Sequence, residues 1–189
     1  MKKVIFIVTI VCIVLMGCSH IKTDSGLNII FLDIDGVLNT QNAINMQISE
    51  KKGRYNEEIN AFFYDFDKEA ISNLKDLIND ANGKIVITSN WRLNDVLMEE
   101  LISQFNKNNI SADIIIGETP DLHSQVTDSL RANEIKEWLN VFQDKINSFV
   151  IIDDIDEMGE YTETNLVVCD KFDGLTKKSK KKAMKVFSN

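Results

Sequence analysis

Short, solidly apolar runs alternate with amphipathic stretches along most of this chain. Residues 28–34 (NIIFLDI), 84–88 (KIVIT), 112–116 (ADIII), 148–152 (SFVII) and 165–169 (NLVVC) are apolar and partly β-branched, as buried strands are. Helical spacing fills the intervals. Residues 67–81 place Ile71, Leu74, Leu77 and Ile78 on one face, with Asp67 as N-cap and Gly83 as stop. Residues 94–106 do the same through Leu97, Leu101, Ile102 and Phe105, and residues 128–142 through Leu130, Ile135, Leu139 and Phe142. Strands without polar alternation, interleaved with helices, predict a mainly parallel sheet covered on both faces. The expected fold class is α/β, a Rossmann-like three-layer sandwich. Residues 39–64 fit neither period; Met46, Ile48, Tyr55, Phe62 and Phe63 are scattered through a polar stretch. That stretch is expected to be a flap or small cap inserted after the first strand.

The beginning of the chain has a different pattern. Lys2 and Lys3 precede an apolar run from Val4 to Met16 that is broken only by Thr9. The run is short for a bilayer span but suits the apolar region of a signal peptide. Leu15-Met16-Gly17-Cys18 resembles a bacterial lipobox, in which the cysteine is acylated and becomes the new N-terminus. Residues 1–17 are thus expected to be a lipoprotein signal peptide, residues 18–27 a polar tether and residues 28–189 the folded domain. The implied location is the periplasmic or extracellular face of a bacterial cell membrane, held through lipid on Cys18. Cys169 is then the one cysteine left in the folded part, so no internal disulfide is expected.

A formal net charge of −8 at pH 7 gives no general attraction for polyanions. The exception is a lysine-rich block over residues 177–185, expected to be a solvated helix face.

The chemistry gathers at strand ends, where parallel sheets bind ligands. Asp33 and Asp35 follow the first strand, two residues apart and so on one side, with Gly36 allowing a sharp turn. Thr88-Ser89-Asn90-Trp91-Arg92 ends the second strand, and Asp153-Asp154 ends the fourth. Any one of these segments would pass for a turn or a cap. Together they would bring like charges into one place, which implies a hard cation bound between them.

These segments, FLDIDGVLN, KIVITS and FVIIDD, resemble the motifs of the haloacid-dehalogenase-like (HAD) superfamily. SNWR, RANEIKEWL and DGLT more narrowly resemble the small HAD domains related to bacterial RNA-repair (Swiss Army Knife) proteins. The resemblance implies a HAD-like fold and Mg2+-dependent hydrolysis of a phosphate monoester. Asp33 would be the nucleophile, forming an aspartyl-phosphate. Asp35 would protonate the leaving oxygen and then deprotonate water, its backbone carbonyl also meeting the metal. Ser89 would hydrogen-bond the transferring phosphoryl group. Asp154 would complete the metal site with Asp153 in support, and the metal set is Asp33, Asp35, Asp153 and Asp154.

The family also requires a cation before the last catalytic strand. Arg131 and Lys136 both qualify, and Arg131, in the first turn of its helix, is nearer the active edge. Arg92 is either a phosphate clamp or half of a surface ion pair. Trp91 either stacks a substrate ring or packs against the sheet. His20 and His123 lack partners at metal-ligand spacing. The expected substrate is a phosphorylated small molecule, a nucleotide or a polynucleotide end, and no protein partner is indicated. A phosphotransferase using the same intermediate and a lipid-anchored HAD-fold binding protein are the alternatives.

Overall fold

The computed structural model describes residues 26–122 and 130–188. The expectations for the signal segment, the lipid-bearing Cys18, His20, His123 and the first residues of the 128–142 helix lie outside the described residues.

The first apolar run forms strand β1 (Leu27–Leu32). Helix α1 (Gln41–Ser49) and a hairpin of β2 (Arg54–Asn56) and β3 (Ala61–Phe63) follow. Helix α2 (Lys68–Ala81) leads into β4 (Gly83–Ile87), and α3 (Asp95–Lys107) into β5 (Ile115–Glu118). Helix α4 (Leu130–Phe142), β6 (Ile146–Asp153), β7 (Leu166–Val168) and α5 (Lys177–Val186) complete the chain. A 5-stranded sheet runs β5-β4-β1-β6-β7, and every pairing in it is parallel.

Pleating explains why the strand sequences are solidly apolar. Along β1, Ile30 and Leu32 pack on one face with Ile85, Ile87, Val150 and Ile152 of the neighbouring strands. That layer is closed by Leu74 and Leu77 of α2, Leu101 and Phe105 of α3, and Ala183 of α5. Ile29 and Phe31 point the other way, with Val86 and Ile151, onto Ile135 and Trp138 of α4. Phe31 meets Trp138 edge-on at 5.4 Å between ring centroids and Phe149 at 5.7 Å. Each such buried side chain is worth roughly 1.5–3 kcal/mol. Since both faces of β1 are covered from Ile29 to Leu32, that stretch is apolar until the strand ends.

Local signals set the helix limits. The Asp67 carboxylate accepts from Glu69 N and Ala70 N at the start of α2, and Asn82, at φ 47°, closes it in the left-handed region. The third strand begins later than its apolar run. A short 3-10 turn occupies Ala112–Ile114, capped by the Ser111 hydroxyl accepting from Asp113 N, and pairing with β4 starts only at Ile115. Residues 39–64 carry regular structure that their sequence conceals. In α1 only Ala43 and the polar Gln47 are buried, and Gln47 bonds both the carbonyl and the amide of Asp65 at 2.8 Å each. The hairpin is held to α3 by a two-pronged pair from Arg54 to Glu100, at 3.2 and 2.6 Å.

Strand order reverses beside β1. The chain moves outward through β4 to β5, then returns on the opposite side of β1 for β6 and β7. Loops leaving β1 and β6 therefore diverge, opening a crevice at their carboxyl ends.

Candidate active site

Asp33 is the first residue beyond β1, and its amide still donates to Ile152 O of β6 at 3.0 Å. The chain then turns tightly, with Val37, Leu38 and Asn39 amides all directed to the Ile34 carbonyl at 3.2, 2.9 and 3.0 Å. Ile34, Val37 and Leu38 are fully buried, which fastens this loop to the core while Asp33 and Asp35 stay at its open edge. Gly36, at φ +74°, sits where a Cβ would lie 2.7 Å from Asp154 Cγ. A glycine is required there both by the left-handed backbone and by the approach of the second acid cluster.

Asp33, Asp153 and Asp154 each present a carboxylate oxygen within 4.8 Å of the other two. An all-oxygen donor set of this density suits a hard divalent cation, and without one the charges oppose each other. Three carboxylates of the expected set are thus brought together, while the Asp35 side chain, whose backbone carbonyl was the expected donor, is outside this group.

Arg131, from the first turn of α4, reaches between the acids. Its Nη1 lies 2.6 Å from Asp153 Oδ2 and 3.3 Å from Asp33 Oδ2. Burial works against its charge, but Asp153 and Asp33 more than compensate and hold its pKa above the ordinary value. Asp33 responds in the opposite sense. Burial and then the charge of Asp153 raise its carboxyl from near 3.8 to about 6, although Arg131 and the Ser89 hydroxyl pull it down. Asp154 is raised too, first by burial and then by Asp153.

Ser89 follows β4, buried at the same cavity as Asp33, and its hydroxyl accepts from Trp91 N to cap the 3-10 turn Asn90–Leu93. Asp35 is held from two sides. Asn39 Nδ2 donates to Oδ1 at 2.7 Å and Trp91 Nε1 to Oδ2 at 2.9 Å. Trp91 is thus buried, packed against Phe66, with its single polar atom aimed at the candidate acid/base. Sequence reasoning missed this link, though a tryptophan two residues after Ser89 was its one visible sign.

Two further expectations are corrected. Arg92 is neither a phosphate clamp nor a surface pair. Its Nε donates to Thr119 O, Nη1 to the carbonyls of Thr88 and Ser89, and Nη2 to Pro120 O, at 2.9–3.2 Å. Nη2 also pairs with Glu134 at 2.8 Å, both side chains being almost fully buried (1% and 3% exposed). All five donors of the guanidinium are thereby used inside the protein. Lys136 lies away from the site, exposed, and pairs with Glu160 at 2.9 Å. Of the two possible cations on α4, the fold brings Arg131 to the acids.

Asp33, Asp35, Ser89, Arg131 and Asp154 line a cavity of about 410 Å3 together with Asn39, Gln41, Ile44, Asn90, Ile155 and Lys171. Lys171 follows β7, and its place beyond a strand end was the only hint the sequence offered. The cavity combines a buried carboxylate, a second oriented carboxylate, a hydroxyl, a cation and a metal-competent cluster. That is equipment for transfer of a charged group.

The family model described as the HAD domain in Swiss Army Knife RNA repair proteins matches residues 29–179. No match was found among curated proteins or among solved structures. The family match spans most of the chain, including every residue of the acid cluster, and the chain belongs to this HAD domain family. Membership supports phosphatase-type chemistry in general.

Proposed function

We propose that this HAD domain is a Mg2+-dependent phosphomonoesterase working through an aspartyl-phosphate on Asp33. The observation that carries the reading is the placement of Asp33. It is buried between two further carboxylates and Arg131, with the Asp35 carboxylate fixed at the same cavity by Trp91 and Asn39.

Asp33, Asp153 and Asp154 would hold the Mg2+, with the Asp35 carbonyl as a further donor. When bound, the ion neutralises charge on the acids and on the phosphoryl oxygens. A carboxylate oxygen of Asp33 attacks phosphorus, and the bond to the ester oxygen breaks. Asp35, entering the cycle protonated, gives its proton to that oxygen, and the alcohol leaves. Asp35, now a carboxylate, takes a proton from water as the water oxygen attacks phosphorus. The bond to Asp33 breaks, inorganic phosphate leaves, and both acids return to their starting states. Ser89 donates to the transferring group, and Arg131 keeps Asp33 aligned while offsetting charge.

The decisive experiment is a phosphatase assay with para-nitrophenyl phosphate and a panel of nucleotides, with chelator and with restored Mg2+. Turnover that disappears on chelation, returns with Mg2+ and is abolished in a folded Asp33→Asn protein is the expected result. Activity that survives either exhaustive chelation or the substitution refutes the mechanism.

A further inference from the structure

The catalytic cavity contains a second cation that the phosphoryl-transfer scheme does not use. Arg131 is clamped between Asp33 and Asp153. Lys171 is exposed at the cavity lining and, among the described residues, has no carboxylate within ion-pair distance. Its Nζ lies 5.6 Å from the centroid of the Phe172 ring.

The turn carrying this lysine is firmly built. Phe172 N donates to Asp170 Oδ1 at 2.8 Å, and Gly174 N to Asp170 O at 2.7 Å. Across the gap, Gln41 N donates to Lys171 O at 3.0 Å and Asn42 Nδ2 to Asp173 Oδ1 at 3.1 Å. One carboxylate oxygen of each nearby acid, Asp170 and Asp173, thus accepts from an amide, and neither acid forms an ion pair with Lys171. A fixed backbone presents a flexible four-carbon stem with a point charge at the cavity mouth.

Among the described residues several lysines lie outside ion pairs, and Lys171 is the one of them that lines this cavity. The reacting phosphoryl group already has Arg131, Ser89 and the metal-competent acids at the floor. What remains for Lys171 is the part of the substrate that leaves.

We propose that Lys171 reads a second negative charge on the leaving group, so that the preferred substrates are phosphomonoesters with another phosphate nearby, as in a nucleoside bisphosphate or a phosphorylated strand end. This rests on the phosphomonoesterase reading above and names the substrate class of the same site.

The test compares the full chain with its Lys171→Gln and Lys171→Arg variants in Mg2+. The probes are para-nitrophenyl phosphate, adenosine monophosphates, adenosine 3′,5′-bisphosphate and a short oligonucleotide phosphorylated at either end. For the bisphosphate or the oligonucleotide, Lys171→Gln should raise KM about fivefold, the upper range for one exposed charge pair. It should leave kcat, and all constants for para-nitrophenyl phosphate, unchanged. Lys171→Arg should restore the preference, and added salt should erode it. A response to the bisphosphate alone assigns the second charge to small nucleotides, and a response to the oligonucleotide as well assigns it to strand ends. Equal losses on every probe, or no loss on any, overturn the proposal. Binding of adenosine 3′,5′-bisphosphate to Asp33→Asn protein, with and without Lys171→Gln, separates the two failures. Turnover absent from the wild type refutes the phosphatase reading, whereas equal bisphosphate affinity in these two proteins refutes the role of Lys171.

Discussion

Replacing Asp33 by Asn should make the metal-free protein more stable while removing its activity. Burial and Asp153 raise the Asp33 carboxyl from near 3.8 to about 6. An acid raised in this way adds stability while it is protonated. That contribution is complete below the unfolded pKa near 3.8 and is lost as pH rises through about 6. At pH 7.5 the ionised group therefore strains the native state by roughly 3 kcal/mol at most, at 1.36 kcal/mol per pKa unit. The amide keeps the shape and removes the charge; the shift already includes the attraction of Arg131, which retains Asp153 as its partner at 2.6 Å. A gain of up to about 3 kcal/mol follows, or up to about 6–12 °C in Tm for a domain of this size. Thermal unfolding in chelator at pH 7.5 measures it. The advantage should shrink toward pH 4.5, where the wild-type carboxyl takes up its proton. Mg2+ should then raise the wild-type Tm by mass action and the variant's by less. An Asp33→Asn protein no more stable than wild type in chelator, or a difference independent of pH, would refute the reasoning.

Three other outcomes are expected. Trp91→Phe keeps the packing on Phe66 but loses the 2.9 Å bond to Asp35; kcat should fall about tenfold as Asp35 loses its orienting donor, and Tm by a few degrees, since a bond to a charged group is worth about 1.5–3 kcal/mol. Arg92→Met leaves Glu134 buried and unpaired; it should cost about 3–5 kcal/mol in denaturant unfolding, whereas a phosphate clamp would show a raised KM at unchanged stability. Cys18→Ser should abolish labelling by a fatty-acid analogue and leave the precursor unprocessed, and equal labelling of both proteins would dismiss lipidation at that residue.

The strands were legible because β1, β4 and β6 are covered on both faces, so their whole apolar content appears in the sequence. The acids were legible for the same reason, since Asp33 and Asp153 interrupt apolar runs at the point where the sheet meets solvent. Helix α1 was not, because its attachment is polar. Gln47 pairs with the main chain at Asp65, and no apolar stripe marks the helical period. Arg92 misled because a cation after a strand end suits a phosphate equally well. Only the converging carbonyls of Thr88, Ser89, Thr119 and Pro120 show that its donors are spent. Trp91 acts across the fold, on a loop 56 positions away, and no spacing rule connects such partners.

Uniform strand direction gives the domain a front and a back. β1 starts beside Ile146 and Asn147, where Gly26 lies so close that a Cβ would come 2.8 Å from Asn147 N. It finishes at Asp33, about 20 Å further along at the usual rise per residue. Whatever is attached upstream of Gly26 therefore pulls on the back, and the mouth holding Asp33 and Lys171 looks outward. If Cys18 bears a lipid, that attachment joins the domain at the end opposite the acids. An affinity surface coupled through the same end should leave turnover undiminished.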